Sequence, residues 1–305
     1  MNRSLFVLLV MPAAAAVHAA EGGPAAAVLI VVGPSDHPAG THEPAAGARL
    51  LAAAVAASEA TDLDAAVSEG WPSAERLAAA RTVVFLGDRF PANRLPDAAG
   101  NMAALAAAAD RGCGIVCLHY ATAVGAEDIG PDGDHPLLRW TGGYFAYRSC
   151  PHHTSVAKVF DATITPTAAM AAHPLGRGWE TFSLREEPYT NNYFGPTTGR
   201  LPGFAAVATT EWPAESSRVE TVAWARERPE GGRGFAVVMP HFYRSWADED
   251  LRTLILNGVV WSAGGEVPAE GVGSPRPDLA AYGAGSIEPQ RRRRAGTAGT
   301  ATGRP

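Results

Sequence analysis

The chain has 305 residues, of which 47% are hydrophobic, and a formal net charge of −6 at neutral pH. This length and apolar content suffice for one large globular domain or two ordinary ones. The acidic balance gives no basic field that would attract a phosphate backbone, so nucleic acid is excluded as an expected partner.

The first residues have the pattern of a secretory signal peptide. Arg3 precedes an apolar run at 5–11, and small residues follow as far as Ala20. The run is shorter than the ~20 residues that span a bilayer, and no later segment is long and apolar enough to do so. We expect residues 1–19 to be cleaved and the mature protein to be periplasmic or secreted, with an uncleaved N-terminal anchor as the alternative.

Strands alternate with helices in the first half of the mature chain. Buried strands are predicted at 27–32, 82–86 and 113–118, with helices beginning near Pro44 and covering 96–110. This alternation predicts a parallel sheet with helices on both faces.

From 131 to 215 the pattern changes to short strands separated by turn residues, as at 140–145, 154–160 and 179–184. We interpret this part as an inserted β-rich segment. It is followed by a strand at 219–224, a buried strand at 234–239 and a helix at 248–261.

The end of the chain differs in composition from the rest. After Val272 it is rich in Gly, Ala, Pro and Arg and has almost no apolar residues that could pack, which predicts disorder. The expected organisation is therefore a signal peptide at 1–19, one domain at 25–272 and a disordered tail at 273–305.

Two histidines directly follow buried strands. His119 follows the strand at 113–118, and His241 follows the strand at 234–239. Ligands of open α/β sheets bind beyond the carboxyl ends of the parallel strands, so we expect both imidazoles at one edge of the sheet. His42 and Glu43, in the first β-α loop, should face the same edge. Cys117 lies inside its strand, which argues against a cysteine nucleophile.

Two adjacent acids, Glu186 and Glu187, precede Tyr189. Neighbouring carboxylates in a crevice can differ in proton affinity, so that one serves as acid and the other as base. A solvent-exposed acidic turn is the structural alternative. Imidazoles and a carboxylate also suit a divalent metal ion such as zinc, with His119 and His241 as ligands, although no compact ligand motif such as His-Glu-x-x-His is present.

Taken in order, these segments resemble the ThuA-like (trehalose utilisation) family, whose fold is related to that of class I glutamine amidotransferases. The resemblance covers about Val28 to Val272 and depends on the order and spacing of several short motifs. These are Asp36-His37-Pro38 with His42-Glu43, Gly112 to His119, Gly142-Gly143-Tyr144-Phe145, His173-Pro174 with Trp179 to Phe182, Glu186-Glu187-Pro188-Tyr189, Gly232 to His241, and Asn257 to Trp261.

The resemblance implies a flavodoxin-like, mostly parallel α/β sheet in which a histidine stands at or near the place of the amidotransferase cysteine. Glutamine hydrolysis is therefore not expected. The family also implies a role in sugar catabolism, particularly of disaccharides oxidised to 3-keto sugars. It often has an Asp-Glu pair where this chain has Glu186-Glu187.

A ketone acidifies the neighbouring C–H, so a base can remove that proton while an acid protonates a departing glycosidic oxygen. We expect an enzyme in which His119 and His241 act as base or metal ligands and Glu187 acts as acid. The residues expected to bind the carbohydrate are His42, Glu43, Glu186, Tyr189 and Tyr144. The alternative is a non-catalytic sugar-binding module with the same crevice.

Overall fold

The computed structural model describes residues 26–130, 132–196, 200–212 and 218–290. The signal peptide predicted at 1–19 lies outside the described residues, as does the part of the predicted tail from 291 to 305. No helix among the described residues is long and apolar enough to cross a membrane.

Eleven strands and six helices make up the described fold. The strands are β1 (Val28–Val32), β2 (Ala65–Glu69), β3 (Thr82–Leu86), β4 (Gly114–Leu118), β5 (Ala123–Val124), β6 (Phe145–Ala146), β7 (Phe160–Pro166), β8 (Phe182–Glu186), β9 (Phe204–Glu211), β10 (Val219–Glu227) and β11 (Arg233–Val237). The helices are α1 (Pro44–Ala57), α2 (Ala74–Ala79), α3 (Pro91–Arg94), α4 (Ala98–Asp110), α5 (Pro136–Thr141) and α6 (Glu249–Ser262).

Nine of these strands form one sheet in the order β2-β1-β3-β4-β11-β10-β9-β7-β8. The strands from β2 to β11 pair in parallel. From β11 outwards to β8 every pairing is antiparallel. The predicted α/β, flavodoxin-like class is confirmed, and strands of the inserted β-rich segment extend the parallel sheet at one side.

The central strands are buried on both faces. Every residue of β1, β3 and β4 is buried, as expected for parallel strands covered by helices. β2 has the sequence AAVSE and only two buried residues. It is an edge strand, and its short, alanine-rich sequence carries no strand signal that could have predicted it.

Part of the inserted segment is helical, and the last two residues of this helix fall within the strand predicted at 140–145. Residues 136–141 form α5, which begins with Pro136 after His135, whose ring accepts a hydrogen bond from the Leu137 amide. Proline at the first helical position and a side-chain cap before it favour a helix start. A strand is predicted at 154–160, but the strand observed in this region, β7, begins only at Phe160.

Residues 273–290 follow a defined path along α1 and the loop before it, where the composition predicts disorder. The segment contains a 3₁₀ turn at Leu279–Tyr282, and the carbonyl of Tyr282 accepts a hydrogen bond from Arg49 Nε at 2.9 Å. Charged side chains of the domain form hydrogen bonds with backbone groups of the segment. A prediction of disorder from the low content of apolar residues does not take such bonds into account.

Helix α6 packs closely against β11, and Gly258 allows this approach. A Cβ atom at Gly258 would lie 2.1 Å from Cδ1 of Phe235.

Gly258→Ala should therefore destabilise the fold by about 1–3 kcal/mol through overpacking, despite the better helix propensity of alanine. Urea unfolding would measure this change in the free energy of unfolding. The matched control is Gly273→Ala, where nothing lies within 4 Å of the added Cβ and little change is expected. Equal effects of the two substitutions would contradict the prediction.

Candidate functional site

Three imidazoles meet at the carboxyl edge of the parallel strands. His42 lies in the loop between β1 and α1, His119 directly follows β4, and His241 follows β11. All three are almost fully buried, with 9% or less of their surface exposed. The expectation that separate strand ends bring these residues together agrees with their positions in the structure.

Their ring nitrogens form a nearly equilateral triangle. His42 Nε2 lies 3.1 Å from His119 Nε2, and each of these atoms lies 3.1 Å from His241 Nδ1. His119 adopts a left-handed backbone conformation with φ of 48°. Such a conformation is unusual for a residue other than glycine and is concentrated at functional sites. Here it places the imidazole on a sharp turn between β4 and the following 3₁₀ helix.

Hydrogen bonds on the far side of two rings define which nitrogen carries the proton. His119 Nδ1 lies 3.0 Å from the carbonyl oxygen of Val238, which can only accept, so Nδ1 carries hydrogen. His42 Nδ1 donates to the carboxylate of Asp88. In the neutral rings both Nε2 atoms are therefore lone-pair acceptors that face each other.

Burial keeps these rings neutral. It lowers the pKa of His42 and lowers the pKa of His119 well below its ordinary value, where the neighbouring imidazoles add to the effect. The pKa of His241 is lowered to about 3, again chiefly by burial. Neutral imidazole is the form that binds metal ions.

Glu187 and Tyr189 complete the cluster from the segment after β8. Glu187 Oε2 lies 3.3 Å from His241 Nδ1, and burial raises the pKa of Glu187 to about 7. The hydroxyl of Tyr189 lies 3.0 Å from His119 Nε2, and its ring stacks on the His119 ring. Four of the five nearest polar groups around the centre are thus nitrogen or carboxylate atoms suited to a metal ion.

Glu186 has a different role from the substrate binding that the sequence suggests. It is fully buried, and its carboxylate accepts hydrogen bonds from the backbone N–H groups of Glu187, His241 and Phe242. Burial raises the pKa of Glu186, while these donors and Ser245 oppose that effect. The side chain ties the end of β8 to the loop that carries His241.

Glu43 and Tyr144, also predicted to bind substrate, contact other parts of the molecule. The Glu43 carboxylate accepts hydrogen bonds from the backbone of Gly285 and Ser286 in the C-terminal segment. The Tyr144 hydroxyl donates to the carbonyl of Gly133 at 2.6 Å, and the ring is fully buried within the inserted segment. Neither side chain has a recorded contact with the three imidazoles among the described residues.

Asp88 is a site residue that the sequence reasoning did not select. It lies two positions after β3, and its carboxylate receives His42 Nδ1–H on one oxygen and His37 Nδ1–H on the other, the latter at 2.7 Å. Burial alone would raise the pKa of Asp88, but the hydrogen bonds from both histidines outweigh it and hold the pKa well below its usual range. The sequence pattern could have indicated Asp88, because this residue follows a buried strand, as His119 does.

The described residues contain two groups with metal-ligand chemistry. One is His42, His119 and His241, and the other is His37, His42 and Asp88. In the second group the nitrogens that face Asp88 carry hydrogen and cannot also bind an ion. The first group alone presents free lone pairs toward a common centre.

An open cleft with a volume of about 250 Å³ lies beside the imidazoles. His37, Asp88 and Tyr120 form the wall nearest the cluster. The remaining lining residues are Pro34, Asp36, Arg89, Arg94 and Tyr147. The lining offers aromatic rings beside charged hydrogen-bonding groups, a combination found in small-molecule sites.

The sequence matches the family model described as ThuA, trehalose utilisation, over residues 28–262. The chain belongs to the ThuA family. The match includes all three imidazoles, Asp88 and Glu187, and ends at the last residue of α6. No curated protein matches this chain.

Solved structures of ThuA-like proteins share the fold. A ThuA-like protein from Bacteroides uniformis is 13% identical with a TM-score of 0.56, covering 82% of this chain and 98% of its own. One from Parabacteroides merdae is 15% identical with a TM-score of 0.51, covering 83% and 98%. A glutamine amidotransferase from Methylobacillus flagellatus also matches, at 14% identity and a TM-score of 0.40, covering 72% and 74%.

The two adjacent acids of this ThuA protein should respond differently to the same substitution. Both oxygens of the Glu186 carboxylate accept backbone N–H groups, three in all. In Glu186→Gln one of these oxygens is replaced by an NH₂ group, which is itself a donor and cannot accept. We expect a loss of about 1–3 kcal/mol in the free energy of unfolding, because a buried donor loses its acceptor. The matched control is Glu187→Gln, which removes no acceptor of a backbone N–H and should change the stability much less. Urea unfolding of the metal-free protein measures both, and equal losses would contradict this role of Glu186.

Proposed function

We propose that this protein is a metal-dependent enzyme that acts on carbohydrates, with oxidised (3-keto) disaccharides or glycosides as its substrates. Membership of the ThuA family supports a carbohydrate-related function. The observation that carries the metal proposal is the triangle of ring nitrogens of His42, His119 and His241, each 3.1 Å from the other two.

The balance of donors and acceptors at the centre favours a cation. The two Nε2 lone pairs of His42 and His119 and the Glu187 carboxylate are acceptors, whereas Tyr189 O–H and one tautomer of His241 are the nearby donors. Facing lone pairs 3.1 Å apart in a buried site repel each other unless a hydrogen-bond donor or a cation lies between them. A divalent ion satisfies both Nε2 lone pairs together.

The distances also suit an ion. At the ~2.0–2.1 Å usual for zinc and imidazole nitrogen, three nitrogens 3.1 Å apart subtend angles of about 95–102° at the ion, between octahedral and tetrahedral values. The second partners of the rings, the Asp88 carboxylate and the Val238 carbonyl, are of the kind that orient metal-binding histidines. A water molecule would supply a further ligand, which leaves Glu187 free to act as the acid.

Metal binding can be measured on the whole protein after stripping with a chelator. We expect Zn²⁺ to bind with a stoichiometry of one ion per chain, and Co²⁺ to give a visible spectrum of a nitrogen-rich site. His119→Gln should weaken binding by more than the roughly 10–100-fold that follows loss of an outer hydrogen-bond partner. His153→Gln is the matched control, because His153 bonds the carbonyl of Asn191 outside the cluster and should leave binding unchanged. Binding that is absent, or indifferent to His119→Gln, would refute the metal proposal.

The chemistry of a 3-keto sugar fits the groups at the cleft. The ion would polarise the ketone oxygen and thereby acidify the adjacent C–H. His37 lines the cleft, and because its Nδ1–H is held by Asp88, its Nε2 is the nitrogen left to accept that proton. The electron pair then forms the alkene as the glycosidic C–O bond breaks, and protonated Glu187 donates its proton to the departing oxygen. The products are an enone and an alcohol.

The cleft supplies binding groups for the sugar rings. Tyr120 and Tyr147 present aromatic rings of the kind that stack on sugars, while Arg94 and Asp36 offer planar hydrogen-bonding groups for vicinal hydroxyls. The guanidinium of Arg89 lies 5.9 Å from the centre of the Tyr147 ring and pairs with Glu127, which fixes its position at the rim. We place the substrate in this cleft, with the reacting carbonyl toward the imidazoles.

Turnover of a 3-keto glucoside by metal-loaded protein tests the reaction. Glu187→Gln should lower kcat by about 10²–10⁴-fold, the usual contribution of a general acid, with a smaller change in KM. Glu75→Gln, a substitution at an exposed residue of α2, is the control and should keep the wild-type rate. Wild-type turnover by the folded Glu187→Gln variant would remove Glu187 from the mechanism. Calorimetric binding of the sugar without any product would instead favour a sugar-binding module.

We also propose that the protein is exported and acts in the periplasm or outside the cell. The support is the order of residues at 1–19, a positive charge, a short apolar run and small residues. N-terminal sequencing of protein purified from the extracytoplasmic fraction would show a mature start near residue 20 if the proposal holds.

A further inference from the structure

The chain continues beyond the part that matches the ThuA family and returns to the candidate site. The match ends at residue 262, whereas residues 278–290 lie against the loop 37–43 that carries His37 and His42. We call residues 278–290 the C-terminal strap. Its contacts involve the two loops that hold His42 and His241, which lie far apart in the sequence.

Glu43 joins the strap to the first of these loops. This residue directly follows His42 and has a left-handed backbone with φ of 39°. Its carboxylate accepts the N–H of Gly40 at 2.8 Å from its own loop. From the strap it accepts the N–H of Gly285 at 3.0 Å and of Ser286 at 3.2 Å. One side chain therefore closes the loop and fastens it to the strap.

The backbone of the loop makes further contacts with the strap. The N–H of Gln290 donates to the carbonyl of Ala39 at 2.8 Å. Gly40 has φ of 81°, and a Cβ atom there would lie 2.1 Å from the carbonyl oxygen of Glu288. A residue with a side chain would thus both strain the loop and displace the strap, so the close approach depends on glycine.

The strap also holds the loop after His241. The hydroxyl of Tyr243 donates to the carbonyl of Leu279 at 3.0 Å, and Arg244 pairs with Glu288 at 3.0 Å. The N–H of Tyr243 donates to the carbonyl of Gly40, which links this second loop directly to the first. Both loops are therefore joined to the strap and to each other on the outer side of the imidazole cluster.

We infer that the C-terminal strap is a positioning element for the ion-binding centre, with Glu43 as its principal anchor. The inference rests on the proposed metal-dependent function. Among the described residues, no hydrogen bond joins the strap to an imidazole of the cluster. It fixes the backbone from which His42 and His241 reach the centre, and so determines whether their nitrogens stay about 3 Å apart. A shift of a few tenths of an ångström in either loop would open the triangle and weaken ion binding.

The test uses two full-length variants that cut the connection from opposite sides. Glu43→Gln replaces the accepting carboxylate, and Ser286→Pro removes one donating N–H from the strap. Glu75→Gln, an exposed acid on α2, is the matched control. Three quantities are measured for each protein: Zn²⁺ affinity by competition with a chromogenic chelator, amide hydrogen exchange of residues 37–43, and the unfolding temperature of the metal-free protein.

We expect both variants to raise the Zn²⁺ dissociation constant about 10–100-fold, as loss of an outer support does, and to speed exchange in residues 37–43. The control should change neither quantity. Unaltered exchange in both variants would overturn the inference. A fall in unfolding temperature with unchanged Zn²⁺ affinity would also overturn it, because the strap would then only stabilise the fold.

The two proposals fail in different ways. If the wild-type protein binds no Zn²⁺ or Co²⁺ but both variants speed exchange in residues 37–43, the metal function is wrong while the strap still holds the loop. If the wild type binds the ion and Glu43→Gln binds it equally well, the metal function stands and the positioning role is wrong.

Discussion

The hydrogen bonds on the outer nitrogens of two histidines determine what the centre can do. His42 donates Nδ1–H to Asp88, and His119 donates Nδ1–H to the Val238 carbonyl. Because each ring has one proton when neutral, both inner nitrogens are left as acceptors. A different partner on the outer side, for example a donor in place of Asp88, would turn the inner nitrogen into a donor and leave an ordinary hydrogen-bonded cluster in place of the proposed cation site.

The topology explains why these groups meet. The loops after β1, β3, β4 and β11 leave the same edge of the sheet, since these four strands pair in parallel and therefore run in the same direction. The antiparallel extension contributes the remaining groups, because the chain after β8 turns back and lays Tyr189 on the His119 ring. A parallel sheet alone would provide the imidazoles without the acid and the phenol.

The sequence predicts the parts of the fold that depend on local pattern. Continuous apolar runs predict β1, β3 and β4, and the residue after such a run is a sound candidate for the site, as His119 and His241 show. The rule applies equally to Asp88, which follows β3 by two residues. The path of residues 273–290 was not predictable in this way, because backbone groups bonded to distant charged side chains leave no periodic or compositional pattern.

The four carboxylates near the centre differ in the hydrogen bonds that their oxygens accept. Asp88 accepts from two imidazoles and a backbone amide, Glu186 from three backbone amides, and Glu43 from three more. These acids hold the protein together, since a carboxylate saturated with N–H donors has little capacity left for a ligand.

Glu187 differs from these three acids. Its recorded side-chain partner among the described residues is His241, at 3.3 Å. No backbone N–H among the described residues donates to this carboxylate, and its partial burial raises its pKa to about 7. Of the four acids, Glu187 therefore keeps the most capacity for a ligand, which is why the proposed mechanism assigns the role of acid to it.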